Sequence, residues 1–457
     1  MNWRTLFLLG GLSLPATLGA AAPPNIIFVL ADDLRWDTLG CAGNKIVRTP
    51  SIDRLAAAGV YFRNHFVTTS ICCVSRASFF SGQYARRHHI EDFATPFTPT
   101  QWRATYPALL RAAGYRTGFI GKFGVGNDKA VAAMKTEFDF WQGLPGQGGL
   151  FFEANDPTHT HQTARFGNEA LEFLRGCDPS VPFCLSVSFT APHARDGQPR
   201  EFWPDARDEN LYADAIVPTP DKFSPEWFEK LPEAVRNSEG HRRWQNRFST
   251  AEMFQRTTKD YYRLITGIDR EVGRIVALLE ERRLAGNTII VFTSDNGFFL
   301  GERGMADKWL MYEESIRVPL IIFDPRHASS RRGRSVDAIT LNIDMAPTLL
   351  AWAGVGIPNS MQGSSLIPLL DGVRPTKWRS DFFYEHHTRE DIIPPSEGVR
   401  GERWKYLRWT AAVPVVEELF DLRADPGEQH NLGSDPKRAE LLGQMRSRWE
   451  TLGRELK

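Results

Sequence analysis

Asn25 to Leu30 reads Asn-Ile-Ile-Phe-Val-Leu, an unbroken apolar run rich in β-branched residues that halts at Asp32-Asp33. A strand apolar on both sides has to be covered on both sides, and a parallel sheet between two layers of helices does this. The same texture returns at Phe183 to Phe189, running into Ala191-Pro192-His193, and at Thr288 to Thr293, running into Ser294-Asp295-Asn296-Gly297. Arg116 to Ile120 and Pro319 to Phe323 read as further strands. Helical periods lie between them. Tyr106 to Ala113 and Gln162 to Arg175 are two. A longer one repeats Tyr261, Leu264, Ile265, Ile268, Val272, Ile275, Val276 and Leu279 at three- and four-residue steps. This βαβ alternation predicts an α/β/α sandwich around a mostly parallel central sheet. Asp344 is expected to cap a helix running through Leu350.

The texture changes twice. From His193 to about Phe254 the chain is polar, charged and aromatic without a sustained period, and residues 194–258 read as a lid-like insertion. After about Met361 short strand-like pieces, Asp381 to Tyr384 and Trp404 to Trp409, precede a helix from Pro436 to Leu452. Residues 361–457 are therefore expected to form a small α+β domain with an antiparallel sheet, packed on a larger domain of residues 23–360. Lys plus Arg equals Asp plus Glu at 55 each, which argues against nucleic acid as a partner. The basic stretch Arg331 to Arg334, beside Ser329 and Ser330, reads as a solvated loop.

Residues 1–22 carry Arg4, an apolar run from Leu6 to Leu18, and Gly19-Ala20-Ala21-Ala22 ahead of Pro23, the pattern of a secretory signal peptide. The mature protein is thus expected to be secreted or periplasmic. No later stretch approaches the roughly 20 apolar residues of a membrane span. The cysteines at 41, 72, 73, 177 and 184 make no disulfide framework. Cys177 and Cys184 are compatible with a small closed loop or with two free thiols. Neighbouring side chains diverge, so Cys72-Cys73 is poorly suited to a mutual bridge.

Open parallel sheets place their ligands beyond the carboxyl ends of the strands. Asp32, Asp33, Asp295 and Asn296 all stand there. An Asp-Asp pair or an Asp-Asn-Gly by itself is more often a turn or a cap. If the two sets meet, three carboxylates and an amide oxygen converge, and a hard divalent cation, Ca²⁺ or Mg²⁺ ahead of Zn²⁺, is the natural occupant.

Cys72-Cys73-Val74-Ser75-Arg76-Ala77-Ser78-Phe79-Phe80-Ser81-Gly82 resembles the signature of the formylglycine-dependent sulfatases, members of the alkaline phosphatase superfamily, whose first Cys is oxidised to formylglycine. Further stretches resemble the family in the same order. They are Leu-Ala-Asp-Asp ending at 33, Gly121-Lys122, Ala-Pro-His at 191–193, Thr-Ser-Asp-Asn-Gly at 293–297, Lys308, and Glu-Glu-Ser-Ile-Arg-Val-Pro-Leu-Ile-Ile at 313–322. In the last hundred residues, 399–408 and 418–432 resemble the family's small C-terminal domain.

The resemblance implies hydrolysis of a sulfate ester, most often an O-sulfate on a glycan or a sulfated small molecule. Asp32, Asp33, Asp295, Asn296 and residue 72 would bind Ca²⁺, with Mg²⁺ the second choice. Arg76, Lys122 and Lys308 would neutralise the sulfate oxygens, and His193 would stand at the leaving group. A hydrated aldehyde at 72 would be the nucleophile, installed by a formylglycine-generating maturase before folding.

Two positions depart from the family. Gly124 stands where many sulfatases carry a His two residues after the motif lysine, and Val74 where Pro or Ala is usual. His88 and His89 are candidates for the missing base or for substrate contact, and Glu385 and His386, beside His387, for substrate contact alone. Two other readings compete: a phosphate or phosphonate ester hydrolase of the same superfamily, and a non-catalytic glycan-binding relative whose Cys72 stays a thiol.

Overall fold

The computed structural model describes residues 22–148, 151–152, 158–327 and 332–456. Most of the expected signal peptide lies outside these residues, as does the Ser329-Ser330-Arg331 stretch. The strands of the large domain are β1 (Asn25–Asp32), β2 (Val60–Phe66), β3 (Arg116–Lys122), β4 (Phe140–Leu144), β5 (Phe183–Pro192), β6 (Thr288–Ser294), the short pair β7 (Phe299–Leu300) and β8 (Ala306–Asp307), β9 (Arg317–Phe323), β10 (Arg334–Val336) and β11 (Thr340–Leu341). Nine of these form one sheet in the order β10-β2-β9-β6-β1-β5-β3-β4, with β11 also on β2. β1 pairs in parallel with both β5 and β6. Only β9 runs against its neighbours, β2 and β6.

The apolar run at 25–30 divides by parity. Ile27, Val29 and Ala31 enter one hydrophobic core, beneath helices Gln162–Arg175 and Ala251–Glu281. Ile26, Phe28 and Leu30 enter the other, beneath helices Cys72–Ser81, Tyr106–Ala112 and Met345–Trp352. The two cores together make the α/β/α sandwich. Fully burying one such side chain stabilises the fold by about 1.5–3 kcal/mol, so β1 anchors both layers at once.

Two expectations about single residues resolve here. Cys177 and Cys184 are free thiols, and they belong to opposite cores, one on each side of the sheet. Asp344 precedes helix Met345–Trp352 without capping it through its side chain. Its carboxylate instead accepts from the Leu341 and Ser364 amides and pairs with Arg379, which ties the turn to a later segment.

The remaining strands, β12 (Asp381–His386), β13 (Ser396–Gly401), β14 (Trp404–Trp409) and β15 (Val416–Asp421), form a separate antiparallel sheet. Helix Ala439–Glu455 covers one face, through Leu442 and the half-buried Met445 and Trp449. The other face lies on the large domain: the Phe66 and Phe382 rings are 5.2 Å apart, and the Tyr384 hydroxyl donates to the Trp309 carbonyl at 2.6 Å. Among the described residues, no helix is long and apolar enough to cross a membrane.

Candidate active site

The carboxyl ends of β1 and β6 are adjacent, because Ala31 pairs with Ser294. Asp32-Asp33 and Asp295-Asn296 therefore meet, and the Asp33 amide donates to Asp295 Oδ1 at 3.2 Å. Asp33 turns out of the strand at φ 66. Residue 72 opens helix Cys72–Ser81 directly opposite, with Sγ 3.4 Å from Asp32 Oδ1 and 3.6 Å from Asn296 Nδ2. Ligand atoms of Asp32, Asp33, Cys72 and His193 all lie within 4.8 Å of one another.

Three cations close the site. Lys122, ending β3, reaches Asp32 Oδ2 at 2.6 Å. Lys308, just after β8, reaches Asp33 Oδ2 at 2.5 Å. Arg76, one helical turn after Cys72, places Nε 2.7 Å from Asp295 Oδ2 and Nη2 3.3 Å from Asp32 Oδ2. Its Nη1 donates to the Lys122 carbonyl and to Ser188 Oγ. His193 is the exposed member of the group, its side chain 22% accessible, with Nε2 3.5 Å from Asp33 Oδ2. Its Nδ1 is 2.6 Å from the Ala194 carbonyl. A carbonyl only accepts, so Nδ1 carries the hydrogen and Nε2 faces the crevice.

Charge in this crevice is unevenly satisfied. Burial works to raise the Asp32 carboxyl, but Lys122, His193 and Arg76 outweigh it and hold Asp32 below the usual range. Burial raises Asp33 well above that range despite Lys308, and burial with Asp32 raises Asp295. Asn296 Oδ1 is buried without a hydrogen-bond partner. Two carboxylates that burial disfavours as anions and an orphaned amide oxygen are what an added hard cation would satisfy, and the all-oxygen donors suit Ca²⁺. Burial, then Asp32, pushes the Cys72 thiol well up. As a thiol it is a poor nucleophile.

The other expected residues lie elsewhere. His88 is buried behind the signature helix, with Nε2 3.1 Å from Ser78 Oγ and Nδ1 accepting from the Ile90 amide. Glu385 is held by Arg86 at 2.7 Å. His89 and Glu385 line a separate groove with His387 and Trp449. His386 is fully buried, and neither ring nitrogen has a partner.

Three participants lacked a motif. Ser188 buttresses Arg76. Arg243 and Arg247 stand on helix Glu239–Arg247, in the segment expected to be an insertion, and both meet Asp307 Oδ2, at 2.9 and 2.5 Å, next to Lys308. Their four-residue spacing was visible, but a charged helix face is ordinarily solvated. Ser188 was detectable as a hydroxyl sharing one side of an apolar strand with Ser186.

A carboxylate crevice at the carboxyl edge of a mostly parallel α/β/α sheet, with a separate antiparallel C-terminal sheet, defines an alkaline-phosphatase-like hydrolase. The sulfatase family profile matches residues 24–355, and the profile of the N-sulphoglucosamine sulphohydrolase C-terminal region matches 301–455. The chain belongs to the sulfatase family. It is 30% identical to an N-acetylglucosamine-6-O-sulfatase of Bacteroides thetaiotaomicron, over 90% of this chain and 82% of that protein. A solved structure described as a complex with its substrate D-glucosamine-2-N,6-O-disulfate superposes with a TM-score of 0.80 at 27% identity, covering 95% of this chain and 98% of that one. The phosphonate monoester hydrolase of Agrobacterium radiobacter shares the fold, with a TM-score of 0.73 at 24% identity, covering 95% and 96%.

Proposed function

We propose that the protein is exported through its N-terminal signal and hydrolyses a sulfate ester on a carbohydrate, with Cys72 matured to formylglycine beside a bound Ca²⁺. The observation that carries this reading is the convergence of Asp32, Asp33, Cys72 and His193 within 4.8 Å, under the charges of Arg76, Lys122 and Lys308. Carbohydrate is favoured by the relatives, one named for an N-acetylglucosamine sulfate and one bound to a sulfated glucosamine.

Asp32, Asp33, Asp295 and Asn296 Oδ1 would hold the Ca²⁺. When present, the hydrated formylglycine supplies an oxygen nucleophile and the metal favours its deprotonation. The chain's own groups do the rest. Lys122, Lys308 and Arg76 Nη2, beside Asp32, bind the sulfate oxygens and offset charge that grows in the transition state. Burial, Asp32 and Asp33 keep bulk water from competing for these donors. His193 turns Nε2 toward the leaving oxygen; with Nδ1–H held by the Ala194 carbonyl, Nε2 would protonate that oxygen only from the doubly protonated ring. All ten residues of Cys72–Ser81 are buried, so a maturase would have to act before folding.

The experiment is sulfate release from O- and N-sulfated sugars, with Ca²⁺ and after chelation. Release from at least one sugar, lost on chelation and restored by Ca²⁺, is expected. Cleavage of phosphonate esters with no sulfate release would move the chain to the reading its fold shares with the phosphonate monoester hydrolase.

A further inference from the structure

Gly124 stands where a family base is common, and the space at that position is filled. It has φ +73, and a Cβ there would lie 2.6 Å from Arg76 Cδ, 3.2 Å from its Nε and 3.5 Å from Lys122 Cε. The Arg76 stem lies flat against the bare Cα. The guanidinium beyond it is pinned on two edges: Nε by Asp295, Nη1 by the Lys122 carbonyl and by Ser188 Oγ. The Ser188 hydroxyl donates to the same Lys122 carbonyl at 2.8 Å. Gln147 fastens the glycine itself, its Nε2 donating to the Gly124 carbonyl at 3.2 Å. Arg76 Nη2, also buried, makes no hydrogen bond but stands 3.3 Å from Asp32 Oδ2 as an ion pair, at the crevice side of the guanidinium.

From this we infer that Gly124 and Ser188 are positioning residues for Arg76. The missing side chain at 124 gives the arginine stem its path, and Ser188 sets the rotation that turns Nη2 to the crevice beside Asp32, where it would donate to a sulfate oxygen. The inference rests on the proposed sulfate-ester reading and deepens it. Catalysis here is not organised around a base at 124, because any side chain there displaces the sulfate-binding arginine.

A double-mutant cycle on inorganic sulfate affinity, read by calorimetry in the Ca²⁺-loaded full chain, tests this without turnover. Gly124→Ala is expected to weaken sulfate about tenfold, as is Ser188→Ala, a step of about 1.4 kcal/mol. In an Arg76→Ala background each should change affinity less than about twofold, since neither the stem nor the fork is there to displace. The strain of a Cβ at positive φ is common to both backgrounds and cancels. Thermal unfolding of each variant separates a folding defect, and Ser188→Ala, free of backbone strain, carries the comparison if Gly124→Ala unfolds. Equal losses in both backgrounds overturn the assignment, as does Gly124→His binding sulfate no worse than the unsubstituted chain. The sugar-sulfate assay above is independent of this cycle, so failure of either is distinguishable from failure of the other.

Discussion

Lys308 and Asp33 form the contact on which the residue scale turns. Removing the ammonium takes from buried Asp33 its 2.5 Å cation and from the sulfate one donor, so Lys308→Ala should lower kcat/KM by about 10²–10³, measured as initial rates on whichever sugar sulfate is cleaved. Asp295→Asn should weaken Ca²⁺ binding and also loosen Arg76, since one carboxylate serves both; calorimetric titration with Ca²⁺ checks this, and unchanged affinity would remove Asp295 from the ligand set. The residues that strand ends and family resemblance pointed to are the ones that converge. The hydroxyl of Ser188 and the spacing of Arg243 and Arg247 were visible in the sequence, but their contacts, and those of Asp307, were not, because these come from what the fold sets beside them. The His88, Glu385 and His386 expectations show the converse. A polar side chain near a motif in sequence can point away from it, as His88 does when it turns to Ser78.

At the scale of elements, the fully buried strands were readable because two-sided apolar runs leave little choice. β2 and β4 were harder. β2 mixes Arg63 and Asn64 with Val60, Phe62 and Phe66, and β4 is a half-exposed edge strand, so neither shows a continuous run. The long helix was expected from Tyr261 and begins at Ala251, where Thr250 caps the Met253 amide; the polar first turns conceal its start. The join between the domains is a buried charge network in which Glu313, just before β9, meets Arg400 at 3.1 Å and Lys405 at 3.2 Å, and Lys405 meets Glu428 at 2.5 Å. Lys405→Met leaves both glutamates short of a cation and should cost about 3–5 kcal/mol, read as a lower urea midpoint. An unchanged midpoint would mean that the network contributes little to docking the C-terminal sheet.

For the molecule as a whole, three buried imidazoles set an acid limit. His65, His88 and His386 are each pushed down to about 3, mainly by burial. Unfolded, each takes up a proton near pH 6.5. The unfolded state therefore binds more protons between about pH 6.5 and 3, and stability falls as the pH drops through that window. Each contributes up to about 1.4 kcal/mol per pH unit there, against the raised Asp33, Asp295 and Asp269 carboxyls, which act with the opposite sign; His386→Gln should therefore make the unfolding free energy fall less between pH 7 and pH 5, by about 1–2 kcal/mol. The same pH dependence in that variant and in the unsubstituted chain would contradict the burial of the ring. The central claim, however, rests on Cys72. Mass analysis of the peptide spanning Ile71 to Arg76, taken from protein made in a host that carries a formylglycine-generating maturase, tests it most directly. The account predicts an aldehyde at residue 72, sulfur replaced by oxygen with two hydrogens lost, and an unmodified Cys73; a free thiol at 72 in protein that still releases sulfate would contradict it.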